Sequence, residues 1–323
     1  MMENLSKSDK GLFSAGICFN KQLRPGFYRL GLEFAGAGAA AFAGAKPGQF
    51  AQLDLSIAAL PAAENIPEHL RDASKREIFL RRPFSFCDVT VKGGNTLADI
   101  LYRVVGPASL RMTTLSAGSS ISVIGPLGNG FQVPQGKKTA LLLSGGMGVP
   151  PLLHLAKVFT ADYPDIEVIA IAGAKTAGEL PFEGRLDKIS QELGFSLAEF
   201  ARYGIKSSVA TDDGSAGYHG LVTGCLLQWL DQRKPAYKDM VIYACGPEAM
   251  LAKVAQIAAD RKIDCQVSME RMMACGIGVC QSCAVECKTG NSNETVYKLC
   301  CKDGPVFDAE EIVFQMAKGG HKL

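Results

Sequence analysis

The pattern of hydrophobic and polar positions changes part-way along this chain of 323 residues. Before about residue 135, apolar and polar positions alternate in short runs, which is typical of half-buried antiparallel strands. The clearest runs are 27–34, 49–55 and 120–124. Two segments interrupt them, an Ala/Gly run at 35–45 and a Pro-containing, charged stretch at 58–75, and both are predicted to be loops or insertions. The first part of the chain is therefore predicted to be an antiparallel barrel.

After Pro134 the apolar runs become continuous, as in strands that are buried on both faces. Strands are predicted at 138–144, 166–172 and 240–244, and helices at 151–160 and 248–261. Strands that alternate with helices indicate a doubly wound α/β domain. The length leaves room for a small further unit after these two domains.

Composition narrows the function class. The net charge is +2, which gives no electrostatic case for binding nucleic acid or an anionic membrane. No apolar run reaches the roughly 18 to 20 residues that span a bilayer. The first ten residues lack an apolar signal segment. These observations predict a soluble cytoplasmic protein.

The most informative feature is a cysteine-rich tail. Cys275, Cys280 and Cys283 have the spacing C-x4-C-x2-C, and further cysteines follow downstream, as in plant-type [2Fe–2S] ferredoxins. Gly276 and Gly278 allow the backbone to curl around a small inorganic core. The odd count of 11 cysteines, without a signal for export, favours a reducing compartment in which thiols serve metals. The tail therefore predicts a redox protein that passes single electrons.

A structural zinc site in a non-enzymatic binding module is the competing interpretation. Zinc sites usually combine two short Cys-x2–4-Cys knuckles, whereas three thiols here share one loop. The fourth cluster ligand has three candidates, Cys287, Cys300 and Cys301. The last two end a predicted strand at 295–299 and point to opposite faces, so only one can reach the cluster. One of that pair is favoured over Cys287. The scattered cysteines are predicted to be small core residues: Cys18, Cys87, Cys225 and Cys265.

Both domains contain a candidate cofactor site. In the α/β part, Gly-rich loops at 144–151 and 244–248 each lie between a strand end and a helix start, where a pyrophosphate can bind backbone N–H groups. In the barrel part, segment 80–86 carries Arg82 and Ser85, a guanidinium and a hydroxyl suited to phosphate. An ordinary edge strand would explain that segment equally well on its own.

Four motifs together resemble the ferredoxin–NADP reductase superfamily. Arg82–Ser85 resembles its flavin-binding R-x-[YF]-[ST] motif, and 125–131, 145–151 and 245–251 resemble its later landmarks in the expected order. The tail is more specific. Segments 270–280 and 301–307 resemble the iron–sulfur electron-transfer subunits of B-type, NAD-dependent dihydroorotate dehydrogenases.

The resemblance implies a division of labour in pyrimidine biosynthesis. A separate FMN-containing subunit would oxidise dihydroorotate, and this chain would pass the electrons through a [2Fe–2S] cluster and FAD to NAD+. A heterotetramer is expected. The implied domains are an FAD-binding barrel at 1–135, an NAD-binding α/β domain at 136–266 and a cluster domain at 267–323.

The resemblance also implies the site residues, with no catalytic side chain among them. The cluster ligands would be Cys275, Cys280, Cys283 and Cys301, because in the family one residue separates the last ligand from Asp-Gly-Pro. The flavin motif would hold FAD, with Arg82 at the pyrophosphate and Ser85 near the ring, flanked by Pro83 and Phe84. Further expected FAD contacts are Tyr102, Arg103, Val104, Gly106 and, less clearly, Ser109. The nicotinamide nucleotide would be framed by Gly145, Gly146, Gly148, Cys245, Gly246 and Pro247.

Other reductases of the superfamily are the alternative. An oxygenase reductase would append a whole ferredoxin domain, for which the tail is too short. Transhydrogenase-type subunits are expected to carry Asp at the position of Cys275. A sulfhydrogenase-like or ferredoxin:NADP oxidoreductase-like subunit stays open. The choice between NAD and NADP also stays open, because Lys175 after the second α/β strand suits either.

Overall fold

The computed structural model describes residues 10–182, 197–290 and 294–314. The first part is a closed barrel of six antiparallel strands in the order β1-β2-β5-β4-β3-β6. Its strands are β1 (Gly11–Arg24), β2 (Phe27–Phe34), β3 (Phe50–Leu53), β4 (Arg82–Lys92), β5 (Asn95–Arg103) and β6 (Ser120–Leu127). The predicted barrel is confirmed, and its inward-facing side chains form a separate core.

The prediction of a loop at 35–45 is wrong, because this Ala/Gly run forms helix α1 (Gly36–Ala43). Phe42 on this helix is fully buried, stacks on Phe34 with ring centroids 3.9 Å apart and meets Phe86 edge-on. The small side chains let the helix approach the barrel closely, so packing stabilises it despite its glycines. The 58–75 segment is largely irregular, as expected, but it includes the short helix α2 (Arg71–Ser74). Helix α3 (Pro107–Met112) follows β5.

The second part is the predicted doubly wound domain. Its strands are β7 (Thr139–Gly145), β8 (Glu167–Ala174), β9 (Lys206–Thr211), β10 (Tyr218–His219), β11 (Met240–Cys245) and β12 (Asp264–Ser268). Its helices are α4 (Val149–Asp162), α5 (Ala198–Ala201), α6 (Val222–Arg233) and α7 (Glu248–Arg261). The strands run parallel in the order β10-β9-β8-β7-β11-β12.

The tail is joined to this sheet. Strands β13 (Ala284–Lys288) and β14 (Thr295–Leu299) form an antiparallel pair, and β15 (Val306–Asp308) adds an antiparallel seventh strand beside β12. Phe307 of β15 and Cys283 of the tail pack in the same core as Leu251 of α7. The predicted domain boundary at 266 falls inside β12, so the tail and the α/β domain share a core.

The four scattered cysteines differ in burial. Cys87 and Cys265 are buried, as predicted. The prediction is wrong for Cys18, which is exposed because the pairing of β1 with β2 shifts register between Ile17 and Phe19. Cys225 is half-buried. Among the described residues, no helix combines the length and apolar character needed to cross a membrane.

Candidate cofactor sites

The cysteine loop brings four thiols into two pairs. The backbone N–H of Cys280 donates to Sγ of Cys275 at 3.4 Å, and the N–H of Cys301 donates to Sγ of Cys283 at 3.4 Å. Gly276 and Gly278 have φ angles of +70° and +88°, a left-handed conformation that other residues rarely adopt. The curl predicted for this loop is therefore present, and it places one cysteine of each pair against the sulfur of the other.

Two pairs of thiolates fit a two-iron cluster, in which each iron takes two protein ligands. Within the described ranges, no three or more His, Cys, Asp or Glu side chains are grouped closely enough to hold a metal ion, so the cluster site stays a prediction. Hydrogen bonds from Ser282, whose hydroxyl lies 3.2 Å from the sulfur, lower the pKa of Cys280 to about 6. The thiolate is the form that binds a metal, so Cys280 is prepared for ligation.

The structure separates the adjacent cysteines of the tail. Sγ of Cys300 donates to the carbonyl of Met269 at 3.3 Å and lies in the shared core. Cys301 instead lies beside Cys283, whose sulfur accepts the backbone N–H of Cys301. Cys287 is fully buried with its sulfur near its own strand. This arrangement favours Cys301 as the fourth ligand, which stays a prediction.

The two Gly-rich loops of the α/β domain touch each other. Strands β7 and β11 are neighbours, with Cys245 opposite Ser144, so both loops leave the same carboxyl edge of the sheet. A Cβ added at Gly148 would overlap the carbonyl oxygen of Cys245, and one at Gly246 would lie 3.0 Å from the N of Gly145. The glycines therefore permit a close packing of loops at the place where α/β sheets bind nucleotides.

A cleft of about 550 Å³ lies between this edge and the barrel. Arg82 and Pro83 line it on the barrel side, and Gly246 and Pro247 line it on the α/β side. Segment 269–273, which leads into the cysteine loop, closes a third side. The predicted flavin motif, the nucleotide loop and the segment that leads into the cysteine loop therefore meet around one cavity.

An ion pair fixes one wall of this cleft. Arg271 donates two hydrogen bonds to the carboxylate of Glu248, at 2.9 and 3.0 Å. Glu248 is the first residue of α7 and follows the Cys245–Pro247 loop. The bidentate pair thus ties the segment before the cluster to the nucleotide loop.

The other flavin-motif residues are placed by the pairing of β3 with β4. Phe84 is opposite Ala51 and meets Tyr102 edge-on, so its ring faces the barrel core. Ser85 is opposite Phe50, on the face toward the shared core. Their contacts with FAD stay predictions.

The segment from the end of β5 into α3 makes structural contacts that its sequence did not indicate. Tyr102 is buried and its hydroxyl donates to Asn20 at 3.1 Å. Arg103 pairs with Glu179 across the domains at 2.9 Å. The Ser109 hydroxyl accepts the N–H groups of Val105 and Gly106. Because this hydroxyl is engaged within its own loop, the loop geometry does not favour the predicted phosphate contact of Ser109. Val104 is half-buried beside these residues.

Two residues at the barrel–tail junction were missed by sequence reasoning. Asn129 donates to the carbonyls of Asp303 and Val306, at 2.8 and 3.0 Å, and accepts the N–H of Val306. Gln52 is fully buried against Gly276, where an added Cβ would overlap its amide. No sequence pattern indicated these roles. Asn129 is one polar residue in a turn. Gln52 lies at a polar position of an alternating strand, and such positions are predicted to face solvent.

Two family models match the chain. Residues 270–313 match the iron–sulfur cluster binding domain of dihydroorotate dehydrogenase B. Residues 142–256 match the oxidoreductase NAD-binding domain. The first match covers the cysteine loop and the tail strands, and the second covers both Gly-rich loops.

Curated relatives decide the family. The electron-transfer subunit of dihydroorotate dehydrogenase B (NAD(+)) from Bacillus caldolyticus is 37% identical over 248 residues, which are 76% of this chain and 84% of the relative. The subunit of the same name from Clostridium perfringens is 34% identical over 236 residues, 73% of this chain and 82% of the relative. This chain belongs to that family. The predicted family and oxidoreductase class are therefore confirmed.

Solved structures share the fold. The NADH-dependent reduced ferredoxin–NADP oxidoreductase aligns with a TM-score of 0.68 at 24% identity, over 93% of this chain and 90% of the other. A ferredoxin–NADP+ reductase from Neisseria gonorrhoeae, solved with bound FAD and NADP, aligns with a TM-score of 0.52 at 16% identity, over 77% and 91%. The family models confirm the predicted iron–sulfur and NAD-binding domains. The solved structures show the shared fold, and FAD stays a prediction for this chain.

Proposed function

We propose that this chain carries electrons from an FMN-containing dihydroorotate dehydrogenase subunit through its [2Fe–2S] cluster and FAD to NAD+. The supporting observation is the single cleft on which the flavin motif, the nucleotide loops and the segment before the cysteine loop converge. FAD, when bound, exchanges single electrons on one side and a hydride on the other, so it suits a position between a cluster and a nicotinamide. The chain supplies position, shielding and hydrogen bonds for these carriers.

Each domain holds one carrier in this proposal. The barrel, 1–135, binds FAD through Arg82 at the pyrophosphate and Ser85 at the ring. The α/β domain, 136–266, binds NAD at its touching loops. The tail, 267–323, binds the cluster through two thiolate pairs, Cys275 with Cys280 and Cys283 with Cys301. Strand β15 and Asn129 keep the tail in a fixed position relative to the other two.

The donor docks beside the cluster in this proposal. Three apolar side chains around the cysteine loop are strongly exposed: Met272 at 89%, Val279 at 74% and Ile277 at 50%. Exposed apolar groups next to a redox centre suit a protein partner. We propose a heterotetramer of two catalytic and two electron-transfer subunits, in the cytoplasm, where thiols remain reduced.

A mild affinity pull-down of this chain from its own host tests the proposal. The eluate is assayed for dihydroorotate-driven reduction of NAD+ and for FMN. Activity together with an FMN protein is expected. A stable complex that lacks this activity would overturn the assigned donor and indicate a sulfhydrogenase-like or other reductase complex. The Cys301→Ala chain, which lacks a proposed ligand, is the matched control: it is expected to lose the activity, whereas Cys300→Ala is expected to keep it.

A further inference from the structure

Gln52 lies between the flavin motif and the cluster loop. In the pairing of β3 with β4 it is directly opposite Pro83, and both side chains point out of the barrel. Pro83 lines the cleft, whereas the amide of Gln52 packs on Gly276, the residue after the first cysteine of the cluster loop. Gln52 therefore lies directly beside the lining of the cleft, on the side toward the cluster loop.

The buried amide of Gln52 is unpaired. The side chain is 0% exposed, and neither Nε2 nor Oε1 has a hydrogen-bond partner among the described residues. A buried amide without partners is costly, and buried polar groups are nearly always paired. An unpaired donor and an unpaired acceptor at one buried position therefore indicate a ligand that offers both an acceptor for Nε2 and a donor for Oε1.

A second glutamine in the same region shows what a purely structural amide looks like. Gln49 is 6% exposed, and both of its amide atoms are used. Its Oε1 accepts the N–H of Lys46 at 2.8 Å, and its Nε2 donates to the carbonyl of Gly128 at 2.8 Å. The two glutamines lie three residues apart in comparable burial, so burial alone does not explain why the amide of Gln52 is unpaired.

The two possible partners of the Gln52 amide, an iron–sulfur cluster and a flavin ring, differ in the hydrogen bonds that they can form. An iron–sulfur cluster presents sulfides and thiolates, which accept hydrogen bonds but donate none, so it would leave Oε1 unpaired. The polar edge of a flavin ring presents an N–H group between two carbonyl oxygens, and it satisfies an amide on both sides. We infer that Gln52 is a positioning residue that hydrogen-bonds the flavin ring of FAD, an inference that rests on the proposed function. It orients the ring on the side of the cleft that faces the cluster.

Two substitutions at this position test the inference in the full chain with its cluster reconstituted. Gln52→Met keeps the length of the side chain and removes the amide. It is expected to weaken FAD binding about tenfold, the effect of losing a neutral hydrogen bond of ordinary strength. The melting temperature of the FAD-free protein is expected to stay equal or to rise, because the variant removes an unpaired buried amide. Gln52→Glu keeps the acceptor and lacks the donor, and it is expected to shift the flavin absorption bands and lower the flavin reduction potential.

The matched control is Gln49→Met, which breaks two internal hydrogen bonds. It is expected to lower the melting temperature of the FAD-free and FAD-bound forms alike, without a shift of the flavin absorption bands. The EPR spectrum of the cluster is recorded for every variant. In both Gln52 variants it is expected to match that of the wild type.

Three results would overturn the inference. One is unchanged FAD affinity and unchanged flavin bands in both Gln52 variants, which would mean that water satisfies the amide. Another is a shift of the cluster EPR signal with unchanged flavin properties, which would assign the amide to the cluster. The third is Gln52→Met behaving like Gln49→Met. A wild-type chain that binds no FAD would instead contradict the proposed function itself, so the two failures are distinguishable.

Discussion

Gly148 and Cys245 are in direct backbone contact, since any Cβ at position 148 would overlap the carbonyl oxygen of Cys245. The two residues are almost a hundred positions apart in the chain, yet their loops follow neighbouring strands of one sheet. This contact joins the two nucleotide loops into one surface, and the cleft opens directly beside it.

Gly148→Ala should therefore separate the two loops. The obstacle is a backbone oxygen, which cannot rotate away as a flexible side chain can, so we expect the free energy of unfolding to fall by about 1–3 kcal/mol. We also expect KM for the nicotinamide nucleotide to rise. Chemical denaturation and steady-state kinetics measure the two effects. Gly44→Ala is the control, because no heavy atom lies within 4 Å of its added Cβ and its φ is −97°. Equal stability of the two variants would contradict the contact.

Substitutions of the adjacent residues Cys300 and Cys301 should have opposite effects on the cluster. Cys301→Ala should abolish the cluster EPR signal and the bound iron, because its thiol lies with Cys283 in one of the two pairs. Cys300→Ala should keep the signal, because that thiol donates to the carbonyl of Met269. EPR of the reduced protein and iron analysis are the measurements. If the signal survived only in the Cys301 variant, the ligand assignment would be reversed.

Asn129→Ala should loosen the tail from the barrel. Its side chain makes three hydrogen bonds to backbone groups of Asp303 and Val306, so we expect a loss of about 2–4 kcal/mol in the free energy of unfolding. Hydrogen exchange should become faster across β15. Asn95→Ala, which loses one side-chain bond to Glu33 within the barrel, should cost clearly less and leave β15 protected. Similar exchange at β15 in both variants would exclude the proposed role of Asn129.

His154 should make stability depend on pH. It is 4% exposed on α4, and burial together with nearby Lys157, only partly opposed by the carboxylate of Asp88, lowers its pKa from 6.5 to about 4. Between these values the unfolded chain binds a proton that the folded protein does not. Stability should therefore fall as the pH drops from 6.5 to 4, by about 1.4 kcal/mol per pH unit from this residue.

His154→Leu should flatten the stability curve in that window. Denaturation midpoints measured from pH 4 to pH 7 provide the comparison, with the same substitution at the exposed His69 as the control. The slope of the curve is compared rather than its height, because the substitution also changes packing in the core. A slope that is unchanged in His154→Leu would show that other groups carry the acid sensitivity.

Much of the architecture could be predicted from the sequence because it depends on local pattern. The alternation at 27–34 corresponds to β2, and the segment at 248–261 to α7, with the same bounds. The prediction for the Ala/Gly run at 35–45 was wrong because its helix is stabilised by the packing of Phe42 on the barrel. Intrinsic helix propensity does not include such a tertiary contact. Likewise, no local signal showed that β15 would join the sheet of the α/β domain.

The types of cofactor could be predicted from the sequence, since ligand spacing and Gly-rich loops are short-range properties of the chain. How the sites meet depends on the tertiary structure. It separated the thiol of Cys301 from that of Cys300, brought Gly148 against Cys245, and buried the amide of Gln52 between the flavin motif and the cluster loop. These relationships join residues that are remote in sequence, and they depend on which faces of the barrel, sheet and tail pack together. A polar residue in an alternating strand indicates solvent until a second domain covers it, and that is why Gln52 emerged only from the fold.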